Sequence, residues 1–339
     1  MADKKRLHWL LALLAAAALQ SAHAQDGAQR MDTVPAAAPG APWWSGSHDA
    51  TLNLLLAAAD RSVAAPDRMK RETAVAAEYF SARYNTLRLV TARELSAVAR
   101  RRLDLIERAG GAEDEALRQA RQLAQEAADR VAPFEALRAD ALARLAGLLD
   151  GYSPRTLSLV LQPALQDTRI VLPAIDVPQQ VPGGVLRRRA DVAAAEADLV
   201  LAGRVSSEDQ MRFARYVQAL STAIEPQPPA PAQEATTGTD IGDVLERARV
   251  DVGRKVWQLL ACMQAAREAR KALDKADVQL REARDKDIGE LEALDLQAQV
   301  LVAADRMAVA AGAVSLAWVA WQGSIGGAGS AQLSAVLTR

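Results

Sequence analysis

From Arg71 to Ala109 the apolar residues Val75, Tyr79, Ala82, Leu87, Val90 and Leu95 recur at spacings of three, four and five, with charged residues filling the gaps. That period predicts an amphipathic helix. Gly110-Gly111 breaks it, and a second helix is predicted from Glu113 to Leu149, where Pro133 kinks it or ends a sub-helix. Asp150-Gly151-Tyr152-Ser153-Pro154 stops that helix. Two long helices joined by a Gly-Gly turn form an antiparallel hairpin. The arrangement returns near the C-terminus. One helix is predicted from Ile241 to Asp285, a turn over Lys286 to Gly289, and a helix from Glu290 to Trp321, stopped by Gly323-Ser324-Ile325-Gly326-Gly327.

Between the hairpins the pattern changes. Residues 151–184 carry Gly151, Pro154, Pro163, Pro173, Pro178, Pro182, Gly183 and Gly184, the composition of an extended linker. A helix follows from Val185 to Ala202. Pro226, Pro228, Pro229 and Pro231 then make residues 225–241 too proline-dense for a central strand. The chain therefore divides into a leader (1–24), a flexible N-terminal segment with a short helix from Asp49 to Val63 (25–66), a first hairpin (67–150), a linker (151–184), a helical region (185–224), a Pro-rich loop (225–241), a second hairpin (242–325) and a tail (326–339). The hairpins read as distant copies. Glu115-Ala116-Leu117 answers Glu292-Ala293-Leu294, and Ala127-Ala128-Asp129-Arg130 answers Ala303-Ala304-Asp305-Arg306. The predicted class is all-α, built of long antiparallel helical hairpins in two pseudo-repeats.

Composition supports this. Half of the 339 residues are hydrophobic but only 4% are aromatic, so small aliphatic side chains dominate, as in closely packed helices. The 41 Lys and Arg nearly balance the 42 Asp and Glu, which gives no global field toward nucleic acid or an anionic surface. The leader has a basic Lys4-Lys5-Arg6, an apolar Leu10 to Leu19 and a small-x-small Ala22-His23-Ala24, the layout of a secretory signal peptide. No cysteine lies near that cleavage site, so no lipid attachment is expected. No later segment has about 18 uninterrupted apolar residues, so no transmembrane helix is expected. The one cysteine, Cys262, excludes an intrachain disulfide and reads as a structural thiol in an apolar helical run.

Enzymatic chemistry finds little support. His8, His23 and His48 all lie near the N-terminus, which excludes a catalytic or metal-binding histidine in the body. Glu113-Asp114-Glu115, and Asp285 with Asp287, are close acidic groups beside turns, and such groups can act as acid and base or as metal ligands. No phosphate loop or Ser/Cys nucleophile motif accompanies them, and a solvated turn is the simpler reading. No enzyme activity, cofactor or metal is expected. Trp318 and Trp321, beside Val314 and Leu316, read as core, with an interfacial membrane anchor as the other possibility.

The most specific motif is Leu186-Arg187-Arg188-Arg189-Ala190-Asp191-Val192, continued by Ala194-Ala195-Glu196-Ala197. It resembles the Leu-Arg-Arg-Arg-Pro-Asp-Ile signature of the TolC/OprM-like outer-membrane efflux proteins, with Ala190 in place of proline. Trp43-Trp44, Tyr79-Phe80 with Arg83-Tyr84, and Asp287-Ile288-Gly289-Glu290-Leu291-Glu292-Ala293-Leu294-Asp295-Leu296-Gln297 resemble other family positions, so the likeness covers most of residues 43–325. It implies an outer-membrane or periplasmic component of a tripartite export system. Its partners would be a periplasmic adaptor and an inner-membrane transporter. Three copies, or a mixed oligomer with a full-length paralogue, would form a helical tube. The resemblance makes Leu186, Arg187, Arg188, Arg189, Asp191 and Glu196 a structural signature ordering the junction between the halves. It places Asp285, Asp287, Gly289 and Glu290 at the tunnel tip, where adaptor contact occurs. Family members also insert two membrane strands into each half. This chain has no period-2 segment between Val63 and Tyr79 or after Arg204, so the barrel strands are expected to be absent.

Overall fold

A computed structural model describes residues 43–44, 49–60, 65–109, 114–149, 151–170, 172, 186, 189–201, 241–286 and 288–325. The leader, Arg187, Arg188, Asp287, most of the Pro-rich loop and the C-terminal tail lie outside them. All regular structure among the described residues is helical. The elements are α1 (Ala50–Asp60), α2 (Ala65–Ala109), α3 (Asp114–Asp129), α4 (Val131–Leu148), α5 (Pro154–Val160), α6 (Gln162–Gln166), α7 (Ala190–Leu201), α8 (Ile241–Asp285) and α9 (Glu290–Ser324).

Helices α2 and α8 each run 45 residues, which at 1.5 Å per residue is roughly 68 Å. Helix α8 packs on α9, α9 on α2, and α2 on α3 and α4. Ion pairs fix the directions. Arg88 meets Asp305 at 2.9 Å, Arg102 meets Asp295 at 2.6 Å and Arg101 meets Glu290, so α9 runs antiparallel to α2. Arg93 with Glu135 and Arg144 with Glu78 make α4 antiparallel to α2 in the same way. Both hairpin turns therefore lie at one end of the layer.

The other end carries the main core. Trp43, Trp44, Tyr79, Phe80, Tyr84, Trp318 and Trp321 are all buried there, with Leu52, Leu56, Leu145 and Leu186. Trp43 packs on Trp318 with ring centroids 5.2 Å apart, and Phe80 meets Trp318 edge-on at 6.4 Å. Toward the turns, burial shrinks to narrow stripes. On α3 it is Ala120, Ala124 and Ala127; across α2 and α9 it is Val98, Leu294 and Leu301. Helix α9 is long and apolar enough by composition to cross a membrane, yet it serves as the shared inner helix between α8 and α2. Trp318 and Trp321 on it are 2% and 1% exposed, so they are core residues and not an interfacial belt.

Several boundaries differ from the sequence reading. Helix α2 starts at Ala65, not Arg71, with Pro66 in its first turn, where a missing N–H costs nothing. The predicted second helix is two helices broken at Arg130, and Pro133 sits in the first turn of the later one. Residues 154–166, expected as linker, form α5 and α6. Ser153 caps α5 by accepting the Thr156 N–H at 3.1 Å, and Pro154 takes the first helical position. The spacing of Leu157, Leu161 and Leu165, all buried, carries the helical period that the prolines obscured.

Helices α2 and α9 approach closely at Gly312, where an added Cβ would lie 3.3 Å from the Tyr84 ring. The Tyr84 hydroxyl lies 3.0 Å from Ser315 Oγ in the same crossing. Gly312→Leu is expected to destabilise the chain by about 1–3 kcal/mol through overpacking. Gly147→Ala, in a helix with nothing within 4 Å, is expected to stabilise it by about 0.5–1 kcal/mol. Urea unfolding monitored by circular dichroism checks both signs.

Candidate functional site

Arg189 is the central residue of the signature region among those described. It lies just before α7, and its side chain is 16% exposed. Its guanidinium donates from Nη1 to Asp251 Oδ2 of α8 at 2.9 Å and to the Ser324 carbonyl of α9 at 2.9 Å. Nε and Nη2 donate to Asp191 at 3.0 and 2.9 Å. One side chain thus joins the start of α7, the first third of α8 and the last turn of α9. A cation at the carbonyl end of α9 suits that helix's dipole, and Asp191 suits the N-terminal turn of α7. Burial works against the Arg189 charge, but the bonds to Asp191 and Asp251 hold its pKa above the ordinary guanidinium value. Burial acts to raise the Asp191 pKa, but the bonds and charge of Arg189 outweigh it and hold the carboxyl below its usual range. Leu186 is fully buried in the main core, while Glu196 is half-buried on α7.

A second polar node ties down the N-terminal helix. Asp49 Oδ1 accepts the backbone N–H of Thr51 and Leu52 at 3.0 Å, capping α1. Its Oδ2 accepts from Tyr79 Oη and Arg83 Nη1, both at 2.7 Å. Arg83 Nη2 donates on to the Arg169 carbonyl at 3.3 Å. Burial, and next the Asp49 charge, push the Tyr79 hydroxyl far above its ordinary pKa. Beside this node, Trp43 donates its indole N–H to the buried Glu72 carboxylate at 2.9 Å. The sequence pointed to the aromatic pair and Arg83 but not to Asp49, whose cap position before α1 was the available signal.

The turn between α8 and α9 is exposed. Asp285 ends α8, and Gly289 precedes α9 with open space around it and an ordinary backbone conformation (φ −59°). Glu290 and Glu292 fill the first turn of α9, the end that favours negative charge. Arg101 of α2 binds Glu290 through two nitrogens, so this tip carboxylate joins the two hairpins. The structure therefore brings Glu290 onto α2 and leaves Asp285 in solvent. No group of His, Cys, Asp and Glu suited to a metal ion occurs among the described residues. Cys262 is half-buried, and burial raises its thiol pKa, which keeps the reactive thiolate scarce.

Neither a protein-family model nor a curated protein matches the sequence. Solved structures do. A structure of CusC, concerned with folding and transmembrane channel formation, aligns over 82% of this chain and 86% of that one, with 16% identity and a TM-score of 0.51. The MtrE outer membrane channel of Neisseria gonorrhoeae in its open state aligns over 82% and 71%, with 17% identity and a TM-score of 0.53. A membrane protein from Pseudomonas aeruginosa aligns over 81% and 72%, with 15% identity and a TM-score of 0.54. The chain shares the fold of these proteins. At such identities the likeness speaks for the fold, and it agrees with the family resemblance of residues 43–325.

Arg189→Met keeps much of the side-chain length and removes the bonds at the junction. It is expected to destabilise the chain by about 1.5–3 kcal/mol, against a change within about 0.5 kcal/mol for Asp285→Ala. Asp191→Asn adds a pH signature. A carboxyl whose folded pKa is depressed contributes stability above its unfolded value of about 3.9 and loses it as pH falls through the folded value. The stability gap between the native chain and Asp191→Asn should therefore be full at pH 6 and close in strong acid. Urea midpoints across pH check it.

Proposed function

We propose that this chain is an outer-membrane-efflux-type component of a tripartite export system, whose helical layer lines a periplasmic tunnel. The observation that carries the reading is the layer itself. Four antiparallel helical runs lie side by side with both hairpin turns at one end, in a fold shared with outer membrane channel structures. Three copies would bring twelve such runs around one axis. Energy and substrate would come from an inner-membrane transporter, and a periplasmic adaptor would meet the turn end near Asp285, Asp287, Gly289 and Glu290. The leader would direct the chain out of the cytoplasm, to the outer membrane or periplasm.

One observation favours a second reading, a periplasmic helical protein that binds efflux partners without forming a pore. Helix α2 is continuous from Ala65, so residues 65–79 are helical where the family resemblance puts the first pair of membrane strands. A strand pair of about 9–11 residues each cannot share those positions. A mixed oligomer with a full-length paralogue would join the two readings.

Membrane fractionation separates them. Resistance of the mature chain to carbonate or urea extraction from the outer membrane supports a channel component, and release into the soluble periplasmic fraction supports the interaction protein. The export role itself is tested by Asp285→Ala with Asp287→Ala in a strain whose drug or metal tolerance depends on this gene. Altered tolerance is expected, and unchanged tolerance counts against a role for the tip in transport.

A further inference from the structure

Most arginines along the α2 seams sit against a carboxylate, but Arg138 on α4 does not. Its Nη2 reaches Ser158 Oγ of α5 only at 3.4 Å. Its Nε is shut off from solvent and has no hydrogen-bond partner. No carboxylate among the described residues bonds it. Arg138 lines a recess of about 370 Å³ between α2, α4 and α5. The other charges in it are Arg93 and Glu135, which pair with each other. The recess therefore holds one uncompensated positive charge. Its remaining walls are the apolar Ala139, Leu142 and Pro154.

We propose that this recess binds a small organic carboxylate. A planar guanidinium presents N–H donors that match a carboxylate, and Nη2, which faces Ser158 across the recess wall, would offer them to the anion and compensate a charge that no carboxylate among the described residues meets. The Ser158 hydroxyl, held only weakly by Arg138, would donate to the same group. The apolar walls would take a short hydrocarbon body, and the volume falls within the range of small-ligand pockets. The site lies on the α2–α4 seam, away from the hairpin turns, and does not depend on whether the chain lines a tunnel.

Calorimetric titration of the full chain with benzoate tests this. Benzamide, of the same shape without the charge, and inorganic phosphate, with charge but no apolar body, are the comparisons. Saturable benzoate binding that exceeds both is expected. Arg138→Gln should weaken benzoate roughly ten- to hundredfold. Ala139→Leu, at an exposed helical position, should block the recess while leaving the charge and the helical circular dichroism in place, so the test survives if Arg138→Gln fails to fold. Absence of saturable benzoate binding, equal binding of benzamide or phosphate, or full binding by Ala139→Leu would each overturn the proposal.

Discussion

A layer one helix thick has two faces open to solvent, so each helix can bury only the flanks that touch its neighbours. The rest of the structure follows from that constraint. Along the half nearest the turns, burial is limited to narrow stripes, Ala120, Ala124 and Ala127 on α3 and Val98, Leu294 and Leu301 across α2 and α9, and side-chain pairs across the seams add to them. Depth exists only at the other end, where α1, α5 and α6 and the two N-terminal tryptophans fold back over the layer. That is where nearly all of the large buried side chains collect. An alanine-rich chain with 4% aromatic residues can afford one such core, and this chain places it where the segments between the hairpins meet.

Two charged nodes give that end its geometry. The Asp49 carboxylate caps α1 and holds Tyr79 and Arg83 of α2, which ties the short helix to α2 at its N-terminus. Arg189 does the corresponding work on the second half, joining α7 to α8 and to the last carbonyl of α9. Each node is partly or wholly shielded from water, where a charge must be paired to be tolerated. Along the seams the pairs are more exposed and contribute little individually. Arg88 is an intermediate case, paired with Asp305 and lying 4.3 Å over the Phe134 ring, which links α9, α2 and α4 through one side chain.

The absence of strand in residues 65–79 bears on function through the same physics. A membrane barrel closes only when every strand has a neighbour on both sides, because backbone groups left open in hydrocarbon are expensive. A chain that continues as helix through those residues does not place the first strand pair there, and the second expected pair, after Arg204, falls in residues outside those described.

The long helices were legible in the sequence because the 3.6-residue period and its breakers act locally. Ile241–Asp285 and Glu290 as the start of the last helix match the boundaries read from the pattern, and Gly289 with Lys286 marks the turn. The resemblance of Leu186 to Val192 to an efflux signature likewise led to the correct fold. Other features were not legible. The helices at residues 154–166 were hidden because proline density signals a linker, whereas Pro154 and Pro163 occupy first-turn positions that tolerate them. The start of α2 at Ala65 was missed for the same reason. The partners of Arg189, Asp49, Arg101 and Arg138 lie up to 189 residues apart in the chain, and no local pattern encodes such distances. Sequence determined the long helices and their breaks, because the helical period and its breakers act between near neighbours. Only the tertiary structure decided which charges meet, because pairing is set by the antiparallel register of packed helices, and that register emerges only when the whole layer is assembled.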